Sequence, residues 1–150
     1  MSLKVVVLAA GQGKRMVSEL PKVLHSVAGR PMLEHVLTTA SHLTEFPPIV
    51  VNGHKGSLLK EYFSDRDIEW VDQVEQLGTG HALKQAVSHF SADDQVLILY
   101  GDVPLVRMED LVRLLENASQ LDGTSVLTTI LEDPTGYGRV LRDASGNVGK

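Results

Sequence analysis

The chain has 150 residues, of which 43% are hydrophobic, with no cysteine and a formal charge of −5. That length suits one domain with its own core, and the missing thiols exclude disulfides, thiolate zinc sites and cysteine nucleophiles. An acidic balance argues against a general nucleic-acid or membrane-surface binder. The distribution is uneven, because residues 1–30 hold Lys4, Lys14, Arg15, Lys22 and Arg30 against Glu19 alone, a local +4 that leaves −9 for the remainder.

The first element is the apolar run Leu3 to Ala10, which feeds a glycine turn, Gly11-Gln12-Gly13, with Lys14 and Arg15 behind it. A strand that delivers a small-residue, positively charged loop to its C-terminal end suits phosphate, because backbone N–H groups can approach the oxygens closely. The run is too short for a cleavable signal, and no stretch reaches transmembrane length. Without cysteine or leader, a cytoplasmic location is expected.

Lys22 to Val27 reads as a loop or short extended piece, and Pro31 as the first residue of a helix carrying Met32, Leu33, Val36, Leu37 and Ala40 on one face. Pro47 and Pro48 end that pattern, Ile49 to Val51 is a short strand, and Leu58, Leu59, Tyr62 and Phe63 mark a second helix. Ile68 to Val71 makes a third strand. Thr79 is placed to cap a helix from about Gly80 to Phe90, with Ala82, Leu83, Ala86 and Val87 facing inward. The run Val96 to Tyr100 is apolar on both faces, as expected of a central strand between two helical layers.

Leu111, Val112, Leu114, Leu115 and Ala118 give another helix, Ser125 to Leu131 a further strand, and residues 139–150 a strand entering a turn at Ser145-Gly146-Asn147. This alternation predicts a three-layer α/β domain with a mostly parallel sheet, spanning residues 1–150 and lacking its C-terminal part. In such sheets ligands lie beyond the carboxyl ends of the strands, so Gly11 to Arg15, Gln73 to Thr79 and Gly101-Asp102 should converge. Asp102 is then a candidate ligand for a divalent cation shared with substrate phosphates, the alternative being a turn or cap aspartate. Gly11-Gln12-Gly13 opens like a dinucleotide fingerprint, but Met16 stands at its third glycine position, and the P-loop spacing is absent. The six histidines form no metal-ligand pair, and His81, inside Gly78-Thr79-Gly80-His81, is read as orienting its loop.

Leu8-Ala9-Ala10-Gly11-Gln12-Gly13-Lys14-Arg15-Met16 with Leu20-Pro21-Lys22-Val23-Leu24 resembles the signature of the sugar-1-phosphate nucleotidyltransferases. Three further segments, residues 75–82, 99–105 and 133–139, narrow the resemblance to the uridyltransferase region of the bacterial bifunctional N-acetylglucosamine-1-phosphate uridyltransferase and glucosamine-1-phosphate acetyltransferase family. The resemblance implies a Rossmann-like nucleotidyltransferase domain. It also implies Mg²⁺-dependent transfer of UMP from UTP to N-acetylglucosamine 1-phosphate, giving UDP-N-acetylglucosamine and pyrophosphate for cell-wall synthesis. Carried over residue by residue, Leu8, Ala9, Ala10, Gly11, Gly13 and Lys22 contact the nucleotide. Arg15 and Lys22 are the catalytic cations, and Asp102 holds the metal.

Gln73, Gly78 and Thr79 align with the family's uracil contacts. A carboxamide offers a donor and an acceptor to a base edge, which a charged side chain does not. Tyr100 and Gly101 flank the nucleotide, and Gly138 leaves room for the sugar. The family often has threonine where this chain has Lys14. Its remaining sugar contacts, a second metal ligand, and the acetyltransferase half through which it trimerises all lie beyond residue 150. Two other readings stand beside this one. A dinucleotide-binding oxidoreductase would need an acid at the end of the second strand, where the chain has Asn52-Gly53-His54. The second is a non-catalytic nucleotide-binding fragment.

Overall fold

The computed structural model describes residues 2–11, 13, 16, 18–121, 123–146 and 148. They fall into two compact units, Met1–Arg107 and Met108–Lys150, each described by itself. The first contains β1 (Leu3–Ala9), a hairpin of β2 (Ser26–Val27) and β3 (Arg30–Pro31), α1 (Met32–Leu43), β4 (Ile49–Asn52), α2 (Gly56–Tyr62), β5 (Glu69–Asp72), α3 (Thr79–Gln85) and β6 (Gln95–Tyr100). Four strands form one parallel sheet in the order β5-β4-β1-β6.

β1 is central and buried because Val5, Val6, Val7, Leu8 and Ala9 send side chains alternately to two covered faces. On one face Val6, Leu8 and Ala10 join Ile49, Val51 and Val71 under Ala82 and Ala86 of α3. The opposite face, carrying Val5, Val7 and Ala9, meets α1, whose Leu33, Val36, Leu37 and Ala40 are buried at helical spacing. Register aligns Val7 with Val50 and Ala9 with Asn52, so Asn52 points to this second face, where α2 begins beside it. The result is the expected three-layer α/β arrangement, with right-handed crossovers as the rule for parallel strands.

Several expectations need correction. β6 is an edge strand, not a central one, and only Leu97 and Leu99 are buried; Ile98 and Tyr100, on the face shared with α3, are exposed because α3 covers β1 and β4. Thr79 is the first residue of α3 and makes no cap; Gly78, at φ +105°, occupies the cap position. α3 stops at Gln85 and the backbone tightens into a 3-10 turn at Val87–His89, which turns Val87 outward. Pro31 precedes α1 as the last residue of β3, paired with Ser26 across a tight turn in which Ala28 and Gly29 both have positive φ.

The second unit holds α4 (Met108–Leu121), with Leu111, Leu114, Leu115 and Ala118 on one stripe and Val112 exposed beside it. Ser125 to Leu131 forms no strand: it has no ladder partner among the described residues and Ile130 is fully exposed. Alternating apolar residues do not make a strand without a neighbour to hydrogen-bond. Residues Asp143 to Gly146 form a turn closed by a single Arg142–Val148 bridge, and Asn147 lies outside the described residues. Among the described residues, no helix is long and apolar enough to cross a membrane.

Candidate active site

The carboxyl ends of β1, β5 and β6 open into one pocket of about 240 Å³, lined by Leu8, Ala9, Ala10, Gly11, Lys22, Gln73, Gly78, Thr79, Tyr100 and Asp102 among others. Each segment reaches it for a local reason. β1 ends in small residues, and a Cβ at Gly11 would meet nothing within 4 Å, so the backbone there is open to a ligand. Lys22 opens a 3-10 turn behind Pro21, and the next two residues, Val23 and Leu24, are buried and anchor it. Gln73 extends the β4–β5 ladder by one rung, its N–H donating to the Asn52 carbonyl at 2.7 Å. Gly101 donates to the Leu8 carbonyl at 3.0 Å, and the chain then turns so that Asp102 faces Lys22.

The Lys22 ammonium donates to Asp102 Oδ2 at 2.6 Å. One wall of the pocket therefore holds a cation and an anion in contact. On the other wall the Gln73 side chain is buried and its Nε2 stands 3.3 Å from the Gly78 carbonyl and 2.9 Å from His81 Nδ1. Gly53 lies just behind: a Cβ there would come within 2.8 Å of both the Ala10 carbonyl and Gln76 Nε2. Farther out, Lys55 donates to the carbonyl and carboxylate of Glu19 at 2.6 and 2.5 Å, tying residue 19 to the β4–α2 turn. The same ammonium holds the Glu19 carboxyl below its ordinary range.

Gly13, at φ +59°, passes over Lys22, where a Cβ would sit 2.9 Å from that residue's own Cβ. Gly101 is buried under the pocket, its hydrogen face against Ala9, Leu33 and Val23. Gly138 belongs to the second unit, exposed and two residues beyond a turn at Gly136. Arg15 and Lys14 lie outside the described residues. Sequence reasoning passed over Gln76, Val23 and Ala82 as lining residues. Gln76 had a signal, since it sits between Gln73 and Gly78 in a loop already assigned to the site; Val23 and Ala82 stand inside the family motifs but, being apolar, were not singled out as site residues.

A divalent cation fits here only in one form. Among the described residues no three histidine, cysteine or carboxylate side chains cluster. Asp102 by itself, at a pocket able to admit phosphates, matches Mg²⁺, which is commonly held by one or two carboxylates together with substrate oxygens. The strand position where a dinucleotide-binding domain would present an acid is Asn52, which is buried beside Gly56.

Residues 5–144 match the MobA-like NTP transferase domain. The chain belongs to that family. Bifunctional protein GlmU of Dechloromonas aromatica is 49% identical over 146 residues, 97% of this chain. The chain spans about a third of that relative, 32% of its length. Among solved structures, a nucleotidyl transferase from Methanothermobacter thermautotrophicus superposes with a TM-score of 0.67 at 26% identity, covering 77% of this chain and 57% of its own. Rv0371c from Mycobacterium tuberculosis, in complex with manganese, gives 0.66 at 21% identity, covering 80% and 61%, a likeness of fold. The nucleotidyltransferase family and the Rossmann-like fold are thus both found, and the oxidoreductase alternative falls.

Proposed function

We propose that this domain transfers UMP from UTP to N-acetylglucosamine 1-phosphate, releasing pyrophosphate and forming UDP-N-acetylglucosamine. The observation that carries the reading is the single pocket in which the Leu8–Gly11 backbone, Lys22, Gln73 and Asp102 meet. The identity to GlmU supports the choice of substrates, and the same likeness suggests a cytoplasmic homotrimer serving cell-wall synthesis, with acetylation of glucosamine 1-phosphate in a further domain.

A phosphate oxygen of the sugar attacks the α-phosphorus of UTP in line. The new P–O bond forms as the bond to the β-phosphate breaks, and the electron pair leaves with pyrophosphate. The acceptor is already an anion, so no general base is needed. The chain's task is to gather two polyanions and offset charge on the leaving group. We assign Lys22 to the phosphates, together with Arg15. The small-residue backbone of Ala9 to Gly11 lets the nucleotide lie close. Gln73, Gly78 and Thr79 hold the base, Tyr100 flanks the nucleotide, and Gly138 is proposed to accommodate the sugar. Asp102 would hold Mg²⁺, which when bound neutralises phosphate charge and orients the triphosphate.

The test is pyrophosphate release by the full-length protein supplied with UTP, N-acetylglucosamine 1-phosphate and Mg²⁺, with glucose 1-phosphate and other nucleoside triphosphates as competitors. Turnover confined to UTP and the N-acetylated sugar supports the assignment. Preference for another pair overturns it, and nucleotide binding without turnover favours a non-catalytic module.

A further inference from the structure

The buried Gln73 amide is held by a hydrogen-bond chain whose directions can be worked out. A backbone carbonyl only accepts, so the end of Gln73 that faces the Gly78 oxygen at 3.3 Å must be the NH₂. That same nitrogen stands 2.9 Å from His81 Nδ1, which must therefore be the bare, accepting nitrogen of the ring. The ring proton is then on Nε2. The Gln85 Nε2 lies 3.2 Å from this nitrogen and 3.2 Å from the His81 carbonyl, so Gln85 also presents its NH₂ to the ring and one of the two amides must give way; Gln73 is buried whereas Gln85 is only half-buried, so it is Gln85 that turns aside. Both N–H bonds of Gln73 are thus committed to the protein, and the group it has left for a ligand is the acceptor Oε1.

From this we infer that His81 is a positioning residue for base selection: its Nδ1 lone pair turns the Gln73 amide so that an acceptor, not a donor, meets the base. The inference rests on the proposed placement of the nucleotide base at Gln73. An acceptor complements the N3–H of uracil and opposes the bare N3 of cytosine. A proton on Nδ1, or a donor in its place, would oppose the Gln73 NH₂ and favour the reversed amide. His81 itself need not touch the base. Its place one turn before Gln85 on α3, and eight residues after Gln73, makes the loop and the helix parts of one device.

The experiment measures kcat and KM with UTP and with CTP for the full-length protein and its His81→Ala, His81→Asn and Gln73→Ala variants. Asparagine Oδ1 is bonded to Cγ as histidine Nδ1 is, and it only accepts. The expected result for His81→Ala is a loss of roughly tenfold in preference for UTP, about the worth of one hydrogen bond, carried by KM more than by kcat. His81→Asn should recover most of that preference. If His81→Ala keeps the parent preference while Gln73→Ala loses it, the positioning role is wrong and the base site stands. If Gln73→Ala also keeps it, the base site itself is wrong. Loss in His81→Ala that asparagine does not recover would reduce His81 to loop packing and overturn the inference.

Discussion

Lys22 and Asp102, eighty positions apart, meet at 2.6 Å at the mouth of the pocket. Their side chains are 38% and 33% exposed, and a pair that wet contributes at most about 1 kcal/mol to stability. On the proposed reading, a cation at Asp102 would compete with the Lys22 ammonium for the same carboxylate, and the pair would link metal and phosphate binding. Asp102→Ala is expected to abolish pyrophosphate release in the full-length protein while shifting the denaturation midpoint little. Retained turnover would sink the metal assignment, and a large stability loss would make the pair structural.

Gly56 illustrates how a buried polar residue constrains its neighbour. A Cβ there would lie 1.9 Å from Asn52 Oδ1, and Asn52 is only 1% exposed, so neither side can give way cheaply. Gly56→Ala should cost about 1–3 kcal/mol, the range for forcing extra volume into a packed interior, read by chemical denaturation. An unchanged midpoint would show that the α2 start can shift.

Gly53 should behave differently, because its tight neighbours belong to the pocket. The Ala10 carbonyl is backbone and cannot move aside without displacing the end of β1, and Gln76 lines the site. Gly53→Ala is expected to raise the KM for UTP several-fold or more with a smaller effect on kcat. Isothermal titration with UTP checks it directly, and unchanged affinity would contradict the geometry.

A pH-dependent contribution comes from Asp72, whose carboxyl is held below its ordinary value chiefly by the hydrogen bonds from Lys60 at 2.9 Å. A lowered carboxyl pKa adds stability that is present above the unfolded value and is lost as pH falls through the folded one. Both side chains are more than a third exposed, so Lys60→Met should cost less than about 1 kcal/mol at neutral pH. Denaturation curves of parent and variant should converge once the pH has fallen well below the ordinary aspartate range. A gap that persists there would show that Lys60 acts through packing.

Much of the architecture was legible because it is local. The valine run of β1, the helical spacing of Leu33, Val36, Leu37 and Ala40, and the glycines of the phosphate-type loop declare themselves within a few residues. The alternation of strands and helices then limits where a ligand can lie, so the Gly11 loop, Gln73 and Asp102 could be brought to one crevice before any coordinates, whereas Lys22 came from the family resemblance. Family motifs added the chemistry.

What only the tertiary structure decided depends on neighbours that are distant in sequence. Val96 to Tyr100 reads as a doubly covered strand, yet α3 covers β1 and β4 and leaves Ile98 and Tyr100 exposed. Ser125 to Leu131 alternates like a strand, but a ladder needs a partner and none is paired with it among the described residues. The contact of Lys22 with Asp102, and the direction in which His81 turns Gln73, arise from side chains meeting across separate strand ends. Hydrophobic periodicity reports which side of an element is apolar; it carries no record of what stands opposite, and the pocket is made of what stands opposite.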